Sequence, residues 1–93
     1  MNVYNDITLV IVCYKSYELI KKNLDGLKCF KTIIVDNSNC HKTYNLVKDL
    51  NNIKFIKTTN NLGYGKANNL AIANAKTEFV LILNPDIIVN AVE

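Results

Sequence analysis

The sequence predicts an α/β fold, a mainly parallel sheet built by a βαβαβαβ alternation with helices on both faces. Two observations carry this. Ile7–Cys13, Thr32–Val35 and Phe79–Leu83 are apolar and largely β-branched, as strands buried on both faces are, and Ile53–Lys57 reads as one more strand. Between these runs lie segments whose apolar residues recur at helical spacing. Strict alternation of the two patterns implies right-handed crossovers and helices on both sides of the sheet.

Taken in order, Ile7 to Cys13 is the first strand, and Ser16 is placed to cap the helix that follows, where Ile20, Leu24 and Leu27 share a face and Lys21 and Lys22 point outward. Thr32 to Val35 is the second strand, ended by the turn formers Asp36-Asn37-Ser38-Asn39. A weaker helix spans Lys42 to Leu50, with Leu46, Val47 and Leu50 on one side and Asn51-Asn52 stopping it. After the third strand, Gly63 to Lys76 is a helix presenting Ala67, Leu70, Ala71 and Asn74 on one face. Phe79 to Leu83 is expected as a fourth buried strand, closed by Pro85, which forces Asn84 into an extended conformation.

Composition bounds what such a domain does. Ninety-three residues make one small domain with one core, and 49% apolar against 20% charged residues excludes a disordered chain. No apolar run approaches the ~20 residues of a membrane span. Met1-Asn2-Val3-Tyr4 has no basic n-region, so a cytoplasmic setting is expected. Eleven Lys, no Arg and a net charge of +3 give no nucleic-acid footprint, which would want a clustered stripe and Arg forks. Cys13, Cys29 and Cys40 lack CxxC spacing and have only His41 for company, so reduced thiols are expected rather than a zinc site.

Ligands of parallel α/β sheets sit beyond the carboxyl ends of the strands, which directs attention to Cys13-Tyr14-Lys15, Asp36-Asn37-Ser38 and Asn84-Pro85-Asp86. Asp36 reads either as an acceptor for a base or ribose, or as a turn residue. Asp86 is placed to hold a divalent cation against a diphosphate, with Asn84 as a weaker neutral ligand, or it is a simple Pro-Asp turn. In Asn60 to Asn69 the glycines Gly63 and Gly65 allow close approach of a ligand or backbone, and two Asn lie inside the helix where their propensity is poor. The third glycine of a dinucleotide fingerprint is missing and the motif does not follow the first strand, which disfavours nicotinamide binding. Lys66 reads as a phosphate contact or a solvated surface lysine. Tyr14 and Tyr17 are candidates to stack on a base or to pack at the sheet edge.

Together, Val10-Ile11-Val12-Cys13-Tyr14-Lys15-Ser16, Ile33 to Asn39, Asn60 to Ile72 and Leu81 to Ile87 resemble, in order, the amino-terminal half of a family 2 glycosyltransferase with the truncated Rossmann-like GT-A fold, nearest the rhamnosyltransferase-like members. The resemblance implies nucleotide contacts from Cys13, Tyr14, Asp36, Asn37, Asn61, Gly63, Lys66 and Asn69, with Asp36 accepting from a pyrimidine. It implies Mg²⁺ or Mn²⁺ at Asp86, with Asn84 standing where the family has the first acid of Asp-x-Asp. The implied partner is a nucleotide-diphosphate sugar, UDP- or dTDP-linked. Ala71 stands where many members carry Gly. Family members continue with an acceptor-binding half that holds the catalytic base, so these residues are expected to be a donor-binding fragment, inactive alone.

Two other readings compete. One is an inactive, self-associating interaction module of the same fold, its apolar Ile87-Ile88-Val89 and neighbouring strand edge inviting a second copy. The other is a nucleotidyltransferase, which ranks last because Cys13 to Tyr17 contains neither Gly nor Arg. The glycosyltransferase reading requires Asp36 and Asp86 to meet at one solvent-accessible rim.

Overall fold

In the computed structural model the described residues are 5–38, 41–58 and 62–89. Four strands and three helices alternate along them: β1 (Ile7–Cys13), α1 (Tyr17–Leu27), β2 (Lys31–Asp36), α2 (His41–Val47), β3 (Ile53–Lys57), α3 (Tyr64–Asn74) and β4 (Phe79–Leu83). All strand pairs are parallel, in the order β3-β2-β1-β4. The expected α/β architecture is therefore the one observed.

Why β1 and β2 are apolar almost throughout follows from their place. Side chains alternate across a strand, and both faces of the two central strands are covered. On one face Leu9, Ile11, Cys13 and Ile34 meet Ile20 and Leu27 of α1 and Val47 of α2. On the other, Val10, Val12, Ile33 and Val35 meet Ala67 and Ala71 of α3. The two small alanines let the α3 backbone lie close to the sheet.

Three local expectations are corrected. Ser16 occupies the N-cap position of α1 but caps nothing with its side chain. Its hydroxyl instead donates to Tyr14 O and accepts from Tyr14 N, both at 3.2 Å, because Lys15 turns through φ +52° and folds the loop back on itself. Helix α2 stops at Val47 rather than Leu50, the chain leaving through a turn closed by Leu50 N donating to Val47 O at 3.0 Å. Asn52 then reaches back, donating to Leu27 O at 2.8 Å and Phe30 O at 2.7 Å, and so satisfies the carboxyl end of α1.

The third correction is β4. It pairs only with β1 and is an edge strand, with Phe79 58% and Leu81 49% exposed, not the buried strand its composition suggests. Among the described residues no strand pairs with its outer side, and composition alone does not say which neighbours a strand will find.

Beyond β4 the chain turns and seats residues 87–89 on α1. Asn23, 2% exposed, donates from Nδ2 to Ile87 O at 2.5 Å and accepts from Val89 N at 2.7 Å, the exchange a neighbouring strand would make. Gly26 permits the contact: a Cβ there would lie 1.8 Å from Val89 O. Neither residue stands out in the sequence. Replacing Asn23 by Ala removes both bonds and should lower stability by about 1–3 kcal/mol, read as a shift of the urea midpoint. Gly26→Ala should act in the same direction by forcing residues 87–89 off the helix. Unchanged midpoints for both variants would show that this seat contributes nothing.

Candidate functional site

Parallel register brings the strand ends to one edge. Cys13 lies opposite Asp36, and Asp36 opposite Lys57. Ile11 lies opposite Leu83, so Asn84 to Asp86 continue from β4 at the same edge. Asp36 and Asp86 thus share the carboxyl rim, with β1 between their strands.

The β1, β2 and β3 ends are stitched together. Asn37 N donates to Cys13 O at 2.9 Å, and Thr58 N donates to Asp36 O at 3.1 Å. The Thr58 hydroxyl reaches Asn37 Oδ1 at 2.7 Å. Asp36 Oδ1 accepts from both the backbone N–H (2.9 Å) and the hydroxyl (2.5 Å) of Ser38. That same hydroxyl accepts from Lys15 N at 2.8 Å, so one serine oxygen links the loop after β1 to the carboxylate after β2.

This network decides what each rim residue offers. Asp36 stands where expected, but at 1% exposure its carboxylate is closed to solvent, whereas Asp86 is exposed. The requirement for two accessible acids is met by Asp86 and not by Asp36. Cys13 is fully buried, its side chain in the core beside α1, so only its main chain reaches the rim. Asn37 is 9% exposed and its amide oxygen is engaged by Thr58. Tyr14 offers an open aromatic surface, 56% exposed, with Lys15 Nζ 5.5 Å from its ring centroid. Tyr17 is flanked by Lys21 and Lys42, whose ammonium groups stand 5.9 and 5.8 Å from its ring centroid.

Helix α3 starts at the rim. Gly63 takes φ +77°, a left-handed conformation that disfavours other residues, and, chain neighbours and the helix's own backbone aside, no atom of the described residues lies within 4 Å of where a Cβ would sit at Gly63 or Gly65. Among the described residues there is therefore room beside Gly65. Tyr64 carries its hydroxyl to Asn84 Oδ1 at 3.2 Å, joining the glycine motif to the Asn84-Pro85-Asp86 turn. Lys66 and Asn69 are exposed, and Asn61 lies outside the described residues. Asn68, next to the residue the sequence singles out, is 6% exposed, and its Oδ1 has no hydrogen-bond partner among the described residues. The signal for it was the pair of asparagines inside a helix.

The donors on the β4 turn are one carboxylate and one amide oxygen, an all-oxygen set suited to a hard cation. No group of three His, Cys, Asp or Glu side chains gathers among the described residues, and an ion here would take water or phosphate oxygens for most of its shell. A separate cavity of about 290 Å³ opens at the opposite, amino edge, lined by Lys31, Lys54, Asn74 and Thr77 among others. Lys54 is engaged there by Asn74 Oδ1 at 2.9 Å, and α3 points its carboxyl end, with its partial negative charge, at that edge.

Comparison with known proteins gives the family. Residues 8–91 match the family described as glycosyl transferase family 2. The chain is also 33% identical over 93 residues to the low-salt glycan biosynthesis hexosyltransferase Agl10 of Haloferax volcanii. That alignment covers 92% of this chain and 29% of the relative, so the chain spans under a third of the hexosyltransferase's length. No helix among the described residues is long and apolar enough to cross a membrane. With 84 of its 93 residues inside the match, the chain belongs to glycosyl transferase family 2.

Proposed function

We propose that this chain forms the donor-binding part of a glycosyltransferase, receiving a nucleotide-diphosphate sugar, UDP- or dTDP-linked, at the carboxyl rim for transfer to an acceptor hydroxyl. The observation that carries this is the contact between Tyr64 and Asn84, which holds the open glycine backbone of α3 beside the exposed Asp86. Family membership supports the same chemistry, and the Haloferax relative, named a hexosyltransferase, is of that kind.

Within this reading Tyr14 offers its ring face to the base. The open backbone at Gly65 admits the ribose or phosphates, with Lys66, Asn69 and Asn61 on the same segment to hydrogen-bond them. Asp86, with Asn84 beside it, would hold a Mg²⁺ or Mn²⁺ ion, whose chemistry is to neutralise charge on the departing diphosphate. Asp36 braces the floor through Ser38 and meets the base only when that serine moves aside. Cys13 contributes its main chain and Asn37 its place beside Asp36. No described residue is assigned as the base that activates the acceptor.

Titration calorimetry with UDP and dTDP, with and without Mn²⁺, tests the site. Mn²⁺ should strengthen nucleotide binding, and Asp86→Asn should abolish that gain, weakening Mn²⁺-supported binding by about ten- to a hundredfold while leaving metal-free binding alone. Nucleotide binding indifferent to both the ion and Asp86 would overturn the metal assignment, and no nucleotide binding by a folded sample would overturn the donor reading.

Asp36 and Ser38 give a second test. Asp36→Ala leaves the Ser38 donors without their acceptor and should cost about 1–3 kcal/mol in urea unfolding. Ser38→Ala vacates one bond on the carboxylate and should tighten nucleotide binding if the base docks there. Unaltered affinity would leave Asp36 a structural role only.

A further inference from the structure

We propose that Asn23 and Gly26 of α1 are positioning residues for Asp86: by fixing residues 87–89 in one register against the helix, they hold the turn that carries its carboxylate. The proposal rests on the reading of Asp86 as a cation ligand, and it adds residues from a helix that reading does not use.

Asp86 stands third in a four-residue turn, closed by Ile87 N donating to Asn84 O at 3.0 Å. Pro85, at the second position, restricts φ there. The turn is gripped at both ends. At its first residue, Asn84 Oδ1 accepts from the Tyr64 hydroxyl at 3.2 Å, in an exposed contact. At its last, Ile87 O accepts from Asn23 Nδ2 at 2.5 Å, and two residues on Val89 N donates to Asn23 Oδ1 at 2.7 Å. Asn23 is buried, so these bonds form where water competes least.

Why an amide stands at position 23 follows from what surrounds it. Ile20, Asn23 and Leu27 are the buried residues of α1, and Ile20 and Leu27 enter the core, with Val89 packed against it. An aliphatic residue between them would bury more apolar surface, but it would accept residues 87–89 in any register. An amide has one donating and one accepting end, so it matches a carbonyl and an N–H spaced as those of Ile87 and Val89 are. A slipped segment loses both bonds. Gly26, the next turn on, completes the fit, because a Cβ there would lie 1.8 Å from Val89 O and 3.2 Å from Val89 Cβ.

The effect on Asp86 is one of position. The β4 turn offers an ion few protein ligands, and with few ligands affinity depends on the carboxylate being held in place. Released from α1, the turn would be anchored by β4 and the exposed Tyr64 contact alone. Ordering it would then fall to the ion, at the expense of binding.

In calorimetry on the full chain with UDP or dTDP, Asn23→Leu fills the stripe but removes both bonds, and Gly26→Ala displaces Val89. Each should cut the Mn²⁺-supported gain in nucleotide affinity about tenfold, with metal-free binding and far-UV circular dichroism unchanged. Asn52→Ala is the control: it strips the bonds to Leu27 O and Phe30 O at the far end of α1, lowers the urea midpoint and should keep the full gain. Linkage supplies a readout that needs no substitution. If the seat favours the ion, the ion favours the seat by the same factor, so deuterium exchange of the wild-type Val89 amide should slow about tenfold when nucleotide and Mg²⁺ are added together. A full gain in both α1 variants, an equal loss in Asn52→Ala, or Val89 exchange indifferent to the ion each overturn the proposal. A wild-type chain that gains nothing from Mn²⁺, or whose gain survives Asp86→Asn, instead removes the metal reading and this proposal with it.

Discussion

The parallel pairing of β1 between β2 and β4 is the constraint from which the rest follows. It aligns the strands in one direction and so delivers the residues after Cys13, Asp36, Lys57 and Leu83 to a single edge. It is held by side chains that enter two different cores from one strand, Leu9, Ile11 and Cys13 on one side and Val10 and Val12 on the other. Full burial of an aliphatic side chain is worth roughly 1.5–3 kcal/mol. A slip of one residue would exchange the two sets, presenting the α3 alanines with side chains shaped for α1. Register, and therefore the composition of the rim, is fixed by packing far from the rim itself.

Much of this was legible because it is local. The bounds of β1, β3 and β4 follow from short apolar or β-branched stretches, and the helical faces from spacing, since both signals lie within a few residues of one another. What was not legible depends on partners distant in the chain. Composition says that Phe79-Val80-Leu81-Ile82-Leu83 suits a covered strand, but not that the strand would lie at the edge. Asn23 looks like an ordinary polar residue on a helix, and its role exists only because residues 87–89 return to α1. Ser16 carries a good capping side chain that Tyr14 takes instead, an outcome set by the left-handed turn at Lys15.

The two acids of the rim show the same division more sharply. Each follows an apolar strand, and sequence position treats them alike. Asp36 leaves a central strand into a turn whose second residue beyond it is a serine, so its carboxylate is satisfied from within and buried. Asp86 leaves an edge strand behind a proline and stays open to water. The difference comes from the neighbours of β2 and β4, which no single stretch of residues encodes. The motif order was enough to indicate the family, while the availability of each motif residue to a ligand had to come from three-dimensional contacts.

The Ser38 hydroxyl touches the Asp36 carboxylate and the Lys15 amide at once. Any molecule that reaches the carboxylate must first part the turn after β1 from the turn after β2, and part of its interaction energy goes into that separation. Linkage makes the relation mutual: whatever draws Tyr14 and Lys15 outward makes Asp36 more reachable by the same free energy. The aromatic lip and the acidic floor of the rim are in this sense one device, read from either end.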